Sequence, residues 1–204
     1  GTHAKVVFDG SISDKVEIRT GAEVINRDYR AAVDTSAFVP GFHEVISAAF
    51  VEADLYASNK FVTRVGGRVE HNNLLNQFSL DPRISLAYKT GKSGQVSFAY
   101  GKFRQSPKNE WLRWDNELEA EKADHYILNY QLIENNRTFR VEGYYKTYAD
   151  LIKFENGKPF VLTNEGSGYA RGLELFYRDN KTIRNADYWI SYSFLDTERD
   201  YLNT

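Results

Sequence analysis

Three sets of side chains in this chain have the chemistry to act on a ligand. The histidines His3, His43, His71 and His125 carry imidazole, the commonest metal-ligating side chain. Carboxylates stand two apart at Glu52/Asp54 and at Glu117/Glu119. On a strand, residues two apart share a face at roughly 7 Å, a spacing that invites acid/base work such as glycoside hydrolysis. The segment FRQSPKNEWLRWDNELEAEKAD (103–124) brings Trp111 and Trp114 close to Arg104 and Arg113. Indoles stack and guanidiniums pair, so these four are the candidate ligand-binding residues, suited to an anionic or aromatic ligand.

Each set also has a plainer use. The histidines are scattered, the last three at strand ends, and read as interfacial or loop residues; no metal or cofactor is expected. Glu52 and Asp54, beside Arg64 and Arg68, fit a charge ladder across strands on a wet wall. Nothing in the sequence argues for a carboxyl of raised pKa, so no catalytic residue and no enzyme are expected. GYARG and GKSG lack the strand–loop–helix context of phosphate loops or nucleophile elbows. The tryptophans could instead pack the loop onto a rim or join an aromatic belt.

The elements that must position these residues have period two. In KVEIRTGAEV, Val16, Ile18, Thr20, Ala22 and Val24 face one way, and Lys15, Glu17, Arg19 and Glu23 the other. Phe61, Val65 and Val69 oppose Arg64, Arg68 and Glu70; Ile84, Leu86 and Tyr88 oppose Arg83, Ser85 and Lys89; Val141 and Tyr145 oppose Arg140 and Glu142. Such alternation over five to ten residues marks strands with one apolar face. Short turns are expected at Ser13-Asp14, 57–60, 90–94, 134–137 and 178–185, and longer polar connections at 26–43, 71–82, 104–122 and 154–168. The pattern predicts an all-β, antiparallel, up-and-down arrangement of about ten strands. Residues 116–126 are the best helix candidate.

Composition narrows the class. The 204 residues carry a net charge of −2, which argues against a nucleic-acid partner. There is no cysteine, so disulfides and thiolate metal sites drop out. Nothing approaches the ~18 consecutive apolar residues of a transmembrane helix, but a membrane β-barrel hides its apolar content in alternation. Tyrosines near strand ends (Tyr88, Tyr100, Tyr126, Tyr188) suit the girdles of such a barrel, and alternating short and long connections suit its two ends. Strand by strand, a soluble sheet with one solvated face accounts for the same alternation. The processed-looking start at Gly1-Thr2-His3 predicts that the chain is part of a longer one.

The runs RVEH (68–71), PRISLAYK (82–89), VSFAYGKFRQSP (96–107), EKADHYILNYQ (121–131), RVEGYYKTYADLI (140–152) and GYARGLELFYRD with DYWISYSFLDTERDY (168–201) resemble the barrel of TonB-dependent outer-membrane receptors. The resemblance implies that residues 1–204 are a partial barrel domain, a slice of a 22-stranded wall without the plug domain, the TonB-contacting segment or the closing strand. It further implies outer-membrane location, contact with lipid, partnership with TonB and the plug, and uptake of a scarce nutrient such as an iron complex, cofactor or glycan. On its own the slice should transport nothing. The alternatives are a soluble β-sandwich module binding carbohydrate or protein and, more distantly, a small outer-membrane barrel enzyme such as a lipase.

Overall fold

A computed structural model describes residues 1–30, 41–112, 115, 117–155 and 158–203. Ten strands follow one another as neighbours: β1 (Thr2–Ser13), β2 (Val16–Tyr29), β3 (Phe42–Ser58), β4 (Phe61–Asn72), β5 (Gln77–Thr90), β6 (Gly94–Gln105), β7 (Glu121–Glu134), β8 (Arg137–Glu155), β9 (Lys158–Asp179) and β10 (Tyr188–Arg199). Each pairs antiparallel with the next, as up-and-down alternation predicts. A two-residue strand, β11 (Leu202–Asn203), pairs parallel with β8. The described strands form one sheet, with no second sheet packed against it, so the sandwich alternative lacks its other half. No helix among the described residues is long and apolar enough to cross a membrane, which says nothing against crossing by strands.

Register fixes the faces, because directly paired residues share a side. Ile18–Ala53–Val65–Ile84–Tyr100–Tyr126–Tyr145 is one apolar row, and Leu86–Phe98–Leu128–Gly143–Leu173–Phe194 is the next. The other face holds Glu17, Arg19, Glu23, Glu52, Asp54, Arg64, Arg68, Arg83, Arg140 and Glu142. On that charged side, Arg199 Nη2 of β10 reaches Glu121 Oε1 of β7 at 3.1 Å, past β8 and β9. Three strand steps would separate them by ~14 Å in a flat sheet, so the charged face is the concave one.

Tyrosines stand on the apolar face near both ends: Tyr100, Tyr126, Tyr145 and Tyr169 toward the long connections, Tyr88 and Tyr177 toward the short turns. From Tyr169 to Tyr177 is ~27 Å along the strand, or ~20 Å along the normal at a barrel's usual tilt, close to the ~25 Å apolar band of a membrane barrel.

The hairpin turns use left-handed backbone where the sequence supplies asparagine or glycine. Asn135 and Asn136 both have positive φ (51° and 60°), the type I′ geometry whose twist matches its flanking strands. Across the eight-residue connection from β9 to β10, Asp179 is the anchor, only 1% exposed. Its carboxylate accepts from Lys181 N and Thr182 N at 2.8 Å, from Thr182 Oγ1, from Tyr177 Oη at 2.9 Å and from Arg137 Nε at 2.9 Å. Those donors, the Thr182 hydroxyl foremost, hold its pKa far below the ordinary carboxylate range. A depressed folded pKa stabilises above the unfolded value of about 4, and that contribution fades as pH falls below it. We expect Asp179→Asn to lower the urea stability of the intact barrel by a constant amount at pH 5–8. The gap from wild type should narrow below about pH 4; a gap independent of pH down to 2 would refute the role of the charge.

Three expectations fail. Of the helix expected at 116–126, the described residues 117–126 form none: the only helix among the described residues is α1 (Asn109–Leu112), and β7 starts at Glu121. Pairing on both sides of β7 satisfies its backbone and overrides the propensity of Glu, Ala and Lys. The 71–82 connection shrinks to 73–76, because Phe78 and Leu80 alternate with buried Ser79 and Asp81 in a continuation of β5. Pro82 is tolerated there, since the β5–β6 ladder ends at Arg83–Gly101 and calls for no proline N–H. The 154–168 connection is also mostly strand, with β8 and β9 paired out to Glu155 and Lys158.

Candidate functional site: the rim and the charged wall

The loop between β6 and β7 is folded down onto strand extensions. Leu112, 2% exposed, packs with Leu75 and Ala120 against Phe42 and Leu74. Leu118 packs with Ile152 and Leu162, and Trp111 and Phe154 close over them. Asp150, at φ 56°, breaks the β8 register, and the two residues after it, Leu151 and Ile152, are both buried. Asn164 then clamps the loop backbone, accepting from Glu119 N at 2.8 Å and donating to Glu119 O at 3.0 Å and Asp150 O at 2.8 Å. Glu44, fully buried, accepts from Asn72 Nδ2 at 2.6 Å and Ser106 Oγ at 3.0 Å, joining β3, β4 and the loop. Arg27 Nη2 lies 2.5 Å from Glu44 Oε2 but off the hydrogen-bond direction.

The four candidate residues fare differently. Trp111 meets Phe154 edge-on with ring centroids 5.5 Å apart and carries Lys108 Nζ 5.2 Å over its face. Its ring therefore pins the loop to the rim. Arg104 turns to the buried Asp81 carboxylate, Nε to Oδ1 at 2.9 Å. Arg113 and Trp114 lie outside the described residues.

The remaining chemistry is largely spent on pairing. Arg64 holds both oxygens of Asp54, at 2.6 and 2.7 Å, so that carboxylate is not free to exchange a proton with a substrate. Arg68 bridges Glu23 and Glu70, and Arg19 meets Asp9 at 2.6 Å. Glu119 is 3.7 Å from Lys122, and Glu117 is exposed. His3 pairs with Glu23, His43 with Asp28, and the His125 ring lies tilted against Phe103 with centroids 4.5 Å apart. No group of three or more metal-ligating side chains occurs among the described residues.

Two features of the wall escaped the sequence reading. Glu142 of β8 stands directly opposite Glu174 of β9 on the concave face. Arg83 of β5 stands between Gly66 of β4 and Gly101 of β6. Alternation assigned Arg83 and Glu142 to the charged side, but neighbours across strands are a matter of register, which one sequence does not state.

An apolar band on one face, interrupted only by the Arg171–Asp196 pair beside Tyr145, tyrosines at both its edges and an ionic ladder on the concave side define a segment of a membrane-spanning β-barrel wall. The chain belongs to the TonB-dependent receptor family: the profile described as TonB dependent receptor-like, beta-barrel matches residues 9–204. No curated protein matches the sequence. Among solved structures, the siderophore receptor PirA from Pseudomonas aeruginosa superposes with a TM-score of 0.81 at 13% identity, covering 96% of this chain and 40% of that one. The outer membrane transporter YddB from Escherichia coli gives 0.74 at 13%, covering 97% and 33%. The FrpB iron transporter from Neisseria meningitidis gives 0.73 at 12%, covering 96% and 36%. At these identities the likeness concerns the fold, and the chain spans two fifths or less of each of these structures.

Proposed function

We propose that this chain is part of the barrel wall of an outer-membrane receptor that takes up a scarce nutrient, driven by TonB acting on a plug inside the barrel. The observation that carries the proposal is the sorting of charge: from the Leu86–Phe98–Leu128–Leu173 row to Tyr88 and Tyr177 the convex face is free of ionised side chains, the Arg171–Asp196 pair standing beside Tyr145 at its edge, while the concave face is laddered with them. Hydrocarbon outside and a polar filling inside account for both. The names of the similar structures favour an iron chelate over a cofactor or glycan as the nutrient. Ligand contact at the mouth is proposed for the β6–β7 loop: for Arg113 and Trp114 on sequence grounds alone, with Trp111 and Arg104 holding the loop in place.

The Glu142–Glu174 pair supports the plug. Like charges directly opposite each other destabilise a sheet, and the only polar partner of either carboxylate among the described residues is Asn129, at 3.1 Å from Glu142. A cationic side chain from a domain inside the barrel would neutralise both. In the intact receptor, Glu142→Lys should speed hydrogen exchange of the plug by at least about tenfold while the barrel stays folded. Uptake of a labelled ferric siderophore by iron-starved cells should fall with it and vanish in cells lacking TonB. Uptake that persists without TonB would refute the proposal.

A further inference from the structure

The ladder leaves out two arginines of the concave wall, Arg140, which lies over the Phe176 ring, and Arg83, which lines a hollow. Arg19, Arg64 and Arg68 each hold a carboxylate, whereas Arg83 has no acidic partner within ion-pair distance among the described residues. Glu52 lines the same hollow but stands two strands away, directly opposite Arg19. The neighbours of Arg83 are kept bare. A Cβ at Gly66 would lie 2.7 Å from Val51 O and from Glu52 Cγ, and one at Gly101 would lie 3.0 Å from the Phe103 ring. The result is a hollow of about 200 Å³ walled by Arg83, Phe103 and His125. The Arg83 guanidinium rests 4.9 Å from the Phe103 ring centre, which shields one of its faces and leaves its donor fork open.

We infer that this hollow seats a carboxylate side chain of a polypeptide standing inside the barrel, the plug of the preceding proposal, on which the inference rests. A planar donor fork with an open edge matches a carboxylate bidentately. The hollow is about one side chain deep, because two glycines form its flanks. It also lies at mid-wall, Arg83 being six residues from one end of β5 and seven from the other, ~20 Å from either. Three strand steps across and four residues along, ~20 Å away on the wall, the Glu142–Glu174 pair asks for the opposite charge. Two seats of opposite sign at a fixed separation fit a folded segment carrying both charges; a small anion fills only one. The two seats together set the rotation of the plug within the wall.

The test uses the intact receptor, with the barrel of each variant first confirmed folded by its heat-modifiable mobility in gels. Arg83→Glu should speed hydrogen exchange of the plug on the order of tenfold or more and lower the urea concentration at which the barrel conducts in a planar bilayer. Arg83→Lys, which keeps the charge and loses the fork, should fall between. If Arg83→Glu changes neither readout while Glu142→Lys changes both, the carboxylate seat is refuted and the plug reading survives. If neither variant changes either readout, both fall. If Arg83→Glu leaves the plug untouched but abolishes binding of sodium benzoate by calorimetry, the hollow is a small-anion site and the inference is overturned.

Discussion

Leu128→Arg should destabilise the intact barrel by about 2–4 kcal/mol, the usual penalty for a cation on the lipid face near the bilayer midplane. Leu128 lies on the convex face between Phe98 and Gly143, midway between the two tyrosine rows, and is 57% exposed in the isolated sheet. In water that exposure would favour arginine; against hydrocarbon it forbids it, so the sign of the effect reports which solvent the face meets. Leu86, across Phe98 in the same row, should behave alike. The control is Arg140→Leu on the concave face, where the guanidinium sits 6.0 Å from the Phe176 ring and its loss costs under about 1 kcal/mol. Urea titration of the barrel refolded into phospholipid vesicles measures both. Equal costs, or a Leu128→Arg variant as stable as wild type, would reverse the assignment of faces.

Leu112→Ala should release the β6–β7 loop from the rim. Truncating a buried leucine costs about 2–5 kcal/mol, depending on how far the site collapses. The cluster around Leu112 is small and bordered by Leu75, Ala120, Phe42 and Leu74, so little can move in to refill it. The loss falls on the loop and not on the sheet, because the neighbouring strands keep their ladders. Amide exchange across 109–120 should therefore accelerate by at least about thirtyfold, at 1.4 kcal/mol per factor of ten, with the β7–β8 amides unchanged. Lys108→Ala, which removes only the exposed ammonium over Trp111, should change exchange by a few-fold at most. Unchanged exchange in Leu112→Ala would mean that the Asn164 clamp and the Glu44 bonds hold the loop unaided.

The two perturbations test different physics within one sheet. Position 128 probes what surrounds the wall, and position 112 probes what the wall holds in place at its mouth. The binding readings rest on the second as much as the first, since a loop anchored by Trp111 can present its remaining residues to a ligand at low entropic cost.

Alternation alone was enough to settle the all-β class, the number of strands as about ten, and the side of the sheet on which Arg64, Arg68, Arg140 and Leu86 stand. Period two is a local property, written in each strand by its own residues. Turn chemistry was equally local, as at Asn135-Asn136. What needed the tertiary structure was every relation between strands. Ser79 and Asp81 looked like loop residues until β4 and the rim buried them. Residues 121–126 looked helical until β6 and β8 claimed their backbone. That Trp111 packs on the Leu118–Ile152–Leu162 cluster and meets Phe154 could not be read from its spacing to the neighbouring arginines. The isolation of Arg83 between Gly66 and Gly101, and the facing of Glu142 with Glu174, arise from register, and register depends on pairing partners that lie about ten to forty residues away along the chain.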